Sequence, residues 1–206
     1  MTNSATPMRR LIVGISGASG VIYGIRALQV LREIPDIETH LVLSPSAKRT
    51  ILEETDWTTE AVEALADVVH SHKDIGAAIA SGSFRTIGML VAPCSIKSLS
   101  GIVNSYSDNL LIRAADVCLK ERRKLVLMVR ETPLHLGHLE LMANAARYGA
   151  IVVPPVPAFY NRPASIEEII DHSVGKALDV LEIGHQLFRR WKEEVAGDAL
   201  RKAADR

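Results

Sequence analysis

The 206-residue chain has no excess of charge of either sign, since 24 Lys and Arg balance 24 Asp and Glu. Nucleic acid is held through its phosphates by a basic field, so no nucleic-acid partner is expected and a small molecule is the better default. Cysteine is scarce. Cys94 and Cys118 are the only two, each in an apolar stretch, which reads as reduced core thiols in a cytoplasmic protein rather than a disulfide framework. No apolar run approaches the ~20 residues of a bilayer-spanning helix. The opening Met1-Thr2-Asn3-Ser4-Ala5-Thr6-Pro7 lacks the basic start and apolar run of a signal peptide. Neither membrane insertion nor secretion is expected. Internal repeats and low-complexity tracts are also missing. What is present, 48% hydrophobic and 23% charged residues, is ordinary for a globular protein. The length suits one compact domain over 1–206, with residues 1–8 as a flexible leader and 192–206 as a charged surface tail.

Apolar runs alternate with helix-like periods. Residues 11–16 read as a strand, followed by glycines and then Ile22, Ile25, Leu28, Val30 and Leu31 at helical spacing. Residues 37–43 read as a second strand, stopped by Ser44-Pro45, which can open a helix with Ser44 as its cap. Helix is expected from Thr59 to Val68, strand at 88–92 closed by Pro93, and a new helix beginning at Ser95. Leu110 to Glu121 reads as helix, Leu125 to Val129 as strand, 135–148 as helix and Ala150 to Val153 as strand. A final helix over 165–181 is opened by Ser165 with Glu168 three places on. Residues 70–87 carry no clear pattern. The expected architecture is a Rossmann-like, three-layer α/β fold of flavoprotein type, with a mostly parallel sheet and ligands at the carboxyl ends of the strands.

The first strand-to-helix turn, Gly14-Ile15-Ser16-Gly17-Ala18-Ser19-Gly20, spaces its glycines by threes and so does not match the dinucleotide G-x-G-x-x-G pattern. Glycines still let a backbone approach a phosphate, and the helix that follows offers unpaired N–H groups and the positive end of its dipole. Tight strand-to-helix packing demands small residues as well. A site for NAD would place Asp or Glu at the end of the second strand, where this chain has Ser44, which favours a mononucleotide. Pro93-Cys94-Ser95-Ile96-Lys97-Ser98 repeats the strand-end pattern with hydroxyls and a helix start.

From about Leu11 to Trp191 the chain resembles the UbiX-like flavin prenyltransferases, including those encoded beside phenolic acid decarboxylases. The resemblance is carried by Ser-Gly-Ala-Ser-Gly at 16–20, Glu54-Thr55, Ala92-Pro93-Cys94-Ser95, Asn109-Leu110-Leu111 running into Arg113-Ala114-Ala115-Asp116, Leu119-Lys120-Glu121-Arg122, Arg130-Glu131, and Pro157-Ala158-Phe159-Tyr160 with Pro163. It implies a metal-independent enzyme that joins the dimethylallyl group of dimethylallyl phosphate to N5 and C6 of reduced FMN. The product, prenylated FMN, would pass to a UbiD-type decarboxylase. The family also implies a homo-oligomer, a dodecamer with sites between subunits.

By position, Gly17, Ala18, Ser19, Ser44, Ser95, Ile96, Lys97, Ser98 and Arg130 match the family's FMN contacts. Lys120, Arg130, Tyr160 and Lys176, with Arg113 nearby, match its prenyl-phosphate contacts. Lys and Arg can hold the departing phosphate without a metal. Glu54 and Glu131 match carboxylates near the flavin, where C6 must lose a proton, and Ser19 is a catalytic candidate beside them. Taken singly, each of these residues also has an ordinary role: serines cap helices, Lys120 ends a charged helix, Tyr160 packs. Two departures stand out. Lys176 replaces the Arg common in the family, losing bidentate geometry, and 136–142 differ from the family's Ile-His-Leu-x-Asn-Met stretch.

His70 with His72, and His135 with His138, form pairs without a third ligand, so no metal is expected. Two rival readings remain. Ser107-Asp108-Asn109-Leu110-Leu111 also resembles a segment of FMN-dependent cysteine-type decarboxylases, and a non-catalytic FMN-binding accessory subunit of an aromatic acid decarboxylase would retain the same flavin contacts.

Overall fold

The structure, a computed structural model, describes residues 8–191. Strands and helices follow as β1 (Arg9–Ile15), α1 (Val21–Arg32), β2 (Ile37–Leu43), α2 (Pro45–Glu54), α3 (Thr59–Glu63), β3 (Val68–His70), β4 (Gly88–Cys94), α4 (Ile96–Val103), α5 (Leu110–Lys120), β5 (Lys124–Val129), α6 (Leu136–Arg147), β6 (Ile151–Val152) and α7 (Ile166–Val180). The six strands make one sheet in the order β3-β2-β1-β4-β5-β6, with every pairing parallel.

Alternation along the strands builds a core on each face. Leu11, Val13 and Ile15 of β1 face Ile25, Leu28 and Leu31 of α1 and Val174 and Leu178 of α7. Ile12, with Met89 and Val91 of β4, faces Leu99 and Ile102 of α4 and Leu110 and Leu111 of α5. This is the expected three-layer arrangement. Side-chain caps open α2, α3, α4, α5 and α7, through Ser44, Thr58, Ser95, Asn109 and Ser165. Glu168 reaches back to the N–H of Ala164 at 2.8 Å, one residue beyond the capping-box position. Among the described residues no helix is long and apolar enough to cross a membrane.

One segment departs from expectation. The helix foreseen from Thr59 to Val68 stops at Glu63, and Val68–His70 is a strand on the edge of the sheet. The cause lies 28 residues upstream. Asp67 accepts from the N–H and hydroxyl of Thr39 at 2.7 and 2.8 Å, and its own N–H donates back to that hydroxyl at 3.0 Å. The exchange turns the chain onto β2, pairing His40 with Val68. The stretch 70–87 then holds the end of β3, a short 3-10 turn at Ala78–Ala80 and loop. The divergent 136–142 stretch does form the start of a helix, α6. The tail foreseen for 192–206, and all but the last residue of the leader foreseen for 1–8, lie outside the described residues.

Gly24 fixes how closely α1 sits on the sheet, because a Cβ there would collide with the carbonyl oxygen of Ala92 in β4 and crowd Ile15. Gly24→Ala should therefore lower stability by about 1–3 kcal/mol as α1 is pushed outward. Urea denaturation with an unchanged m value would read this as a shift in midpoint.

Candidate functional site

The strand order reverses between β1 and β4, and a crevice opens beyond their last backbone bond, from the Ser16 N–H to the Pro93 carbonyl at 3.2 Å. Ser16 bridges the gap. Buried at 1% exposure, its Oγ donates to the Pro93 carbonyl at 2.9 Å and accepts the Ser95 N–H at 2.8 Å. Ser44 N–H donates to the Ile15 carbonyl at 3.0 Å and Arg130 N–H to that of Cys94 at 3.1 Å, so the carboxyl ends of four strands are tied in a row. The starts of α2 and α4 face a cleft of about 280 Å³ between them.

Gly17, Ser44, Ser46, Ser95, Lys97 and Ser98 line this cleft, joined by His72 and Asn109. Ser44 Oγ accepts the Ala47 N–H at 3.0 Å, and Ser95 Oγ accepts the Ser98 N–H at 3.2 Å. A capping hydroxyl keeps its own proton to donate: Ser95 directs it to Ser98 Oγ at 3.2 Å, and Ser98 has a proton in turn for a ligand. Lys97 is exposed at the mouth and supplies positive charge. Burial, reinforced by Lys97 and opposed by Asp108, holds His72 below the ordinary imidazole range. Two helix N-termini, hydroxyl donors and one lysine fit a phosphate-bearing ligand. Ile96, the first residue of α4, packs partly against the core behind the cleft. Cys94 is fully buried, and its thiol is pushed up to about 12 by desolvation, which makes it a core thiol and not a nucleophile.

The glycine turn is built differently from an open cradle. Helix α2 lies across it, with Ser46 so close that a Cβ on Gly17 would collide with it. At its other end the Glu54 carboxylate accepts the Gly20 N–H at 2.8 Å. Gly20 itself has φ 93°, a left-handed conformation suited to glycine. Both glycines are thus required by packing, and a carboxylate already meets one N–H at the start of α1. Ala18 and Ser19 are half-buried on the same turn. Arg130 follows β5 and acts electrostatically on Tyr23 of α1, whose hydroxyl pKa is raised by burial and partly brought back by Arg130. Glu131 is exposed and accepts the Thr132 N–H at 3.0 Å.

The remaining nominated residues lie elsewhere. Lys120 ends α5, beside Glu121 and the 82 loop, at the amino edge of the sheet. The seven residues of β4 separate that edge from Ser95 by about 20 Å. Arg113 is tied to Asp116 at 3.0 Å and to the Ala80 carbonyl at 3.2 Å. Tyr160, in the loop before α7, bonds His172 at 3.0 Å. Lys176 stands 3.8 Å from Asp179, which also holds Arg190 at 2.9 and 2.7 Å and His185 at 3.1 Å. One protomer therefore gathers the nominated flavin contacts along one edge and leaves the Lys120 end of the nominated phosphate contacts at the other. Among the described residues no cluster of three or more His, Cys, Asp or Glu could hold a metal ion. His135 and His138 stack on each other, 3.6 Å between ring centroids.

Sequence reasoning did not assign Ser16, His72 or Asn109 a place in the cleft. Ser16 and Asn109 lay inside recognisable stretches, but His72 had no signal because the strand that carries it to the cleft was not foreseen. Ser16→Ala removes both hydroxyl bonds, keeps the bond from the Ser16 N–H to the Pro93 carbonyl, and takes from the Ser95 N–H its hydroxyl acceptor. A loss of about 1–3 kcal/mol in denaturant unfolding is expected, together with weaker flavin binding measured by fluorescence titration.

A family model described as Flavoprotein matches residues 2–191. The flavin prenyltransferase UbiX of Escherichia coli K12 is 62% identical over 187 residues, 90% of this chain and 99% of that protein. The enzyme of the same name from Thauera aromatica is 60% identical over 182 residues, 88% and 93% of the two chains. Among solved structures, AnUbiX (PadA1) in complex with FMN and dimethylallyl pyrophosphate superposes with a TM-score of 0.88 at 48% identity, covering 91% of this chain and 100% of that one. A dodecameric FMN-dependent UbiX-like decarboxylase from Escherichia coli O157:H7 gives 0.87 at 52% identity, covering 89% and 99%. The cysteine decarboxylase TvaF, at 16% identity and TM-score 0.62, shares the fold alone. The chain belongs to the flavoprotein family and, within it, to the UbiX flavin prenyltransferases.

Proposed function

We propose that this chain is a flavin prenyltransferase that joins the dimethylallyl group of dimethylallyl phosphate to N5 and C6 of reduced FMN, supplying prenylated FMN to a UbiD-type decarboxylase. Identity of 62% to a UbiX enzyme across nearly the whole length carries this reading. The cysteine-decarboxylase alternative has behind it one short segment, 107–111, and fold likeness at 16% identity, and the match of Glu54, Lys120 and Tyr160 to the family's reacting positions argues against an accessory subunit.

FMN supplies the nucleophilic nitrogen and carbon. The chain's residues bind it and manage charge. Ser44, Ser95, Ser98 and Lys97 offer donors and a positive charge to its phosphate, while Gly17, Ala18, Ser19 and Ile96 border it. As the allylic C–O bond breaks, the phosphate leaves with the electron pair, and Lys120, Arg113, Arg130, Tyr160 and Lys176 hold it. Glu54, Glu131 and Ser19 stand where the proton of C6 is removed. Glu54 enters this role already oriented by the Gly20 N–H.

Such a set exists only if a second copy brings its α5 end to the cleft of the first, which supports a homo-oligomer, a dodecamer as in the E. coli O157:H7 structure. Apolar side chains left in solvent on and beside α6, Leu134, Leu136 and Leu139, fit burial by further copies. Two buried, unpaired thiols support placing the enzyme in the reducing cytoplasm.

Anaerobic incubation with reduced FMN and dimethylallyl phosphate should add a five-carbon unit to the flavin by mass spectrometry; an unaltered flavin mass would refute the transferase reading. Lys120→Ala should keep FMN bound and slow turnover by about 10²–10³-fold, with unchanged turnover removing Lys120 from the site. Light scattering should give a dodecamer. Mixed oligomers of Lys120→Ala with a Ser95→Ala, Ser98→Ala variant should regain activity that neither parent has, and no recovery would place each site within one chain.

A further inference from the structure

Tyr160, in the loop before α7, and Lys176, on α7, both act on one histidine, His172. The Tyr160 hydroxyl is 3.0 Å from Nε2 of His172, and the two rings meet edge-on with centroids 5.6 Å apart. Trp191 meets Tyr160 edge-on at 90°, with centroids 5.4 Å apart, and Phe188 lies against His172 at 4.6 Å. Both rings are thereby held in place while 44% of Tyr160 remains exposed. Lys176 is one helical turn beyond His172.

A tyrosine hydroxyl has one proton. If Nε2 of His172 is bare, the hydroxyl donates to it and has nothing to give a phosphate oxygen. If Nε2 carries a proton, as in the Nε2–H tautomer or in the imidazolium, it donates to the Tyr160 oxygen, and the hydroxyl proton is released toward the ligand; only the imidazolium adds a proton to the protein. We propose that His172 is a positioning residue for the prenyl donor: it sets the direction of the Tyr160 hydroxyl, and binding of the donor phosphate is linked to a proton on the imidazole. The inference rests on the reading of Tyr160 and Lys176 as phosphate contacts.

The charges around the ring give the direction of the linkage. Burial first, then Lys176, holds His172 below the ordinary imidazole range, with Asp179 opposing. Glu168 and Arg189 line the same cavity as His172. At neutral pH the free protein therefore carries a neutral His172. A phosphate dianion beside Lys176 offsets the lysine's charge and favours the imidazolium, so His172 takes up a proton as the donor binds. Donor affinity contributed by this pair is present at low pH and lost as pH rises through the pKa of the bound state. The second ionisation of the phosphate, near pH 6, overlaps this range, which makes comparison with a variant necessary.

The test uses the full-length, FMN-loaded protein. Calorimetric titration with dimethylallyl phosphate at pH 7 in two buffers of different ionisation heat counts the protons taken up. His172→Gln keeps an amide donor for Tyr160 but has no proton to gain. The wild type should take up more protons per site than this variant, and equal uptake would overturn the proposal. In a double-mutant cycle, His172→Phe should weaken donor binding by about three- to tenfold with Tyr160 present and have no further effect in Tyr160→Phe. The same loss in both backgrounds would show that His172 does not act through Tyr160. Failure of the wild type to alkylate flavin would instead remove the reading on which the inference rests, whereas a competent wild type with equal proton uptake removes His172 alone.

Discussion

The hydroxyl of Ser16 holds the molecule together at the point where a parallel sheet is weakest. Between β1 and β4 the chain leaves in opposite directions, and past the backbone bond from Ser16 to Pro93 the ladder ends in a buried place. One side chain extends it, giving a second donor to the Pro93 carbonyl and its lone pair to the Ser95 N–H. Burying an unpaired N–H is costly, so these two bonds, with the backbone bond from Ser16 to Pro93, hold the two strand ends at a fixed separation. The width of the cleft and the aim of α4 follow from it.

That constraint governs the kind of chemistry the cleft can offer. The caps of α2 and α4 are satisfied by the serines that line it, and the start of α1 by the carboxylate of Glu54. A ligand therefore meets hydroxyl protons, helix dipoles and the charge of Lys97, with few bare backbone N–H groups. The arrangement suits a phosphate group that is recognised by several moderate contacts. It also leaves the carboxylate of Glu54 fixed in direction, with one oxygen engaged and the other available.

Much of this was legible in the sequence. β2 and the starts of α2, α4 and α7 could be read directly, because apolar period and capping serines are local signals. β3 could not, since three residues carry no period and the strand is held by the exchange between Asp67 and Thr39, far apart in sequence. Residue types at the site were legible through resemblance, but their arrangement was not. A motif tells which side chains meet a ligand and is silent on which copy of the chain supplies each. The resemblance implies sites between subunits, and the parallel topology gives the reason, since it sends the end of α5 to the edge opposite the cleft, away from Ser95 of the same protomer. The glycine turn teaches a related lesson: its glycines look made for a phosphate, and packing against Ser46 and a left-handed φ account for them.

The distance between the two edges of the sheet has a consequence for inheritance. In the proposed assembly a protomer lends its upper rim to one site and its lower rim to another, so a copy that fails to fold removes two sites, whereas a change at one rim removes one. For copies defective at both rims, output falls as the square of the proportion of sound chains. The two rims of a single gene product must stay matched to each other across a boundary that neither shares within its own chain.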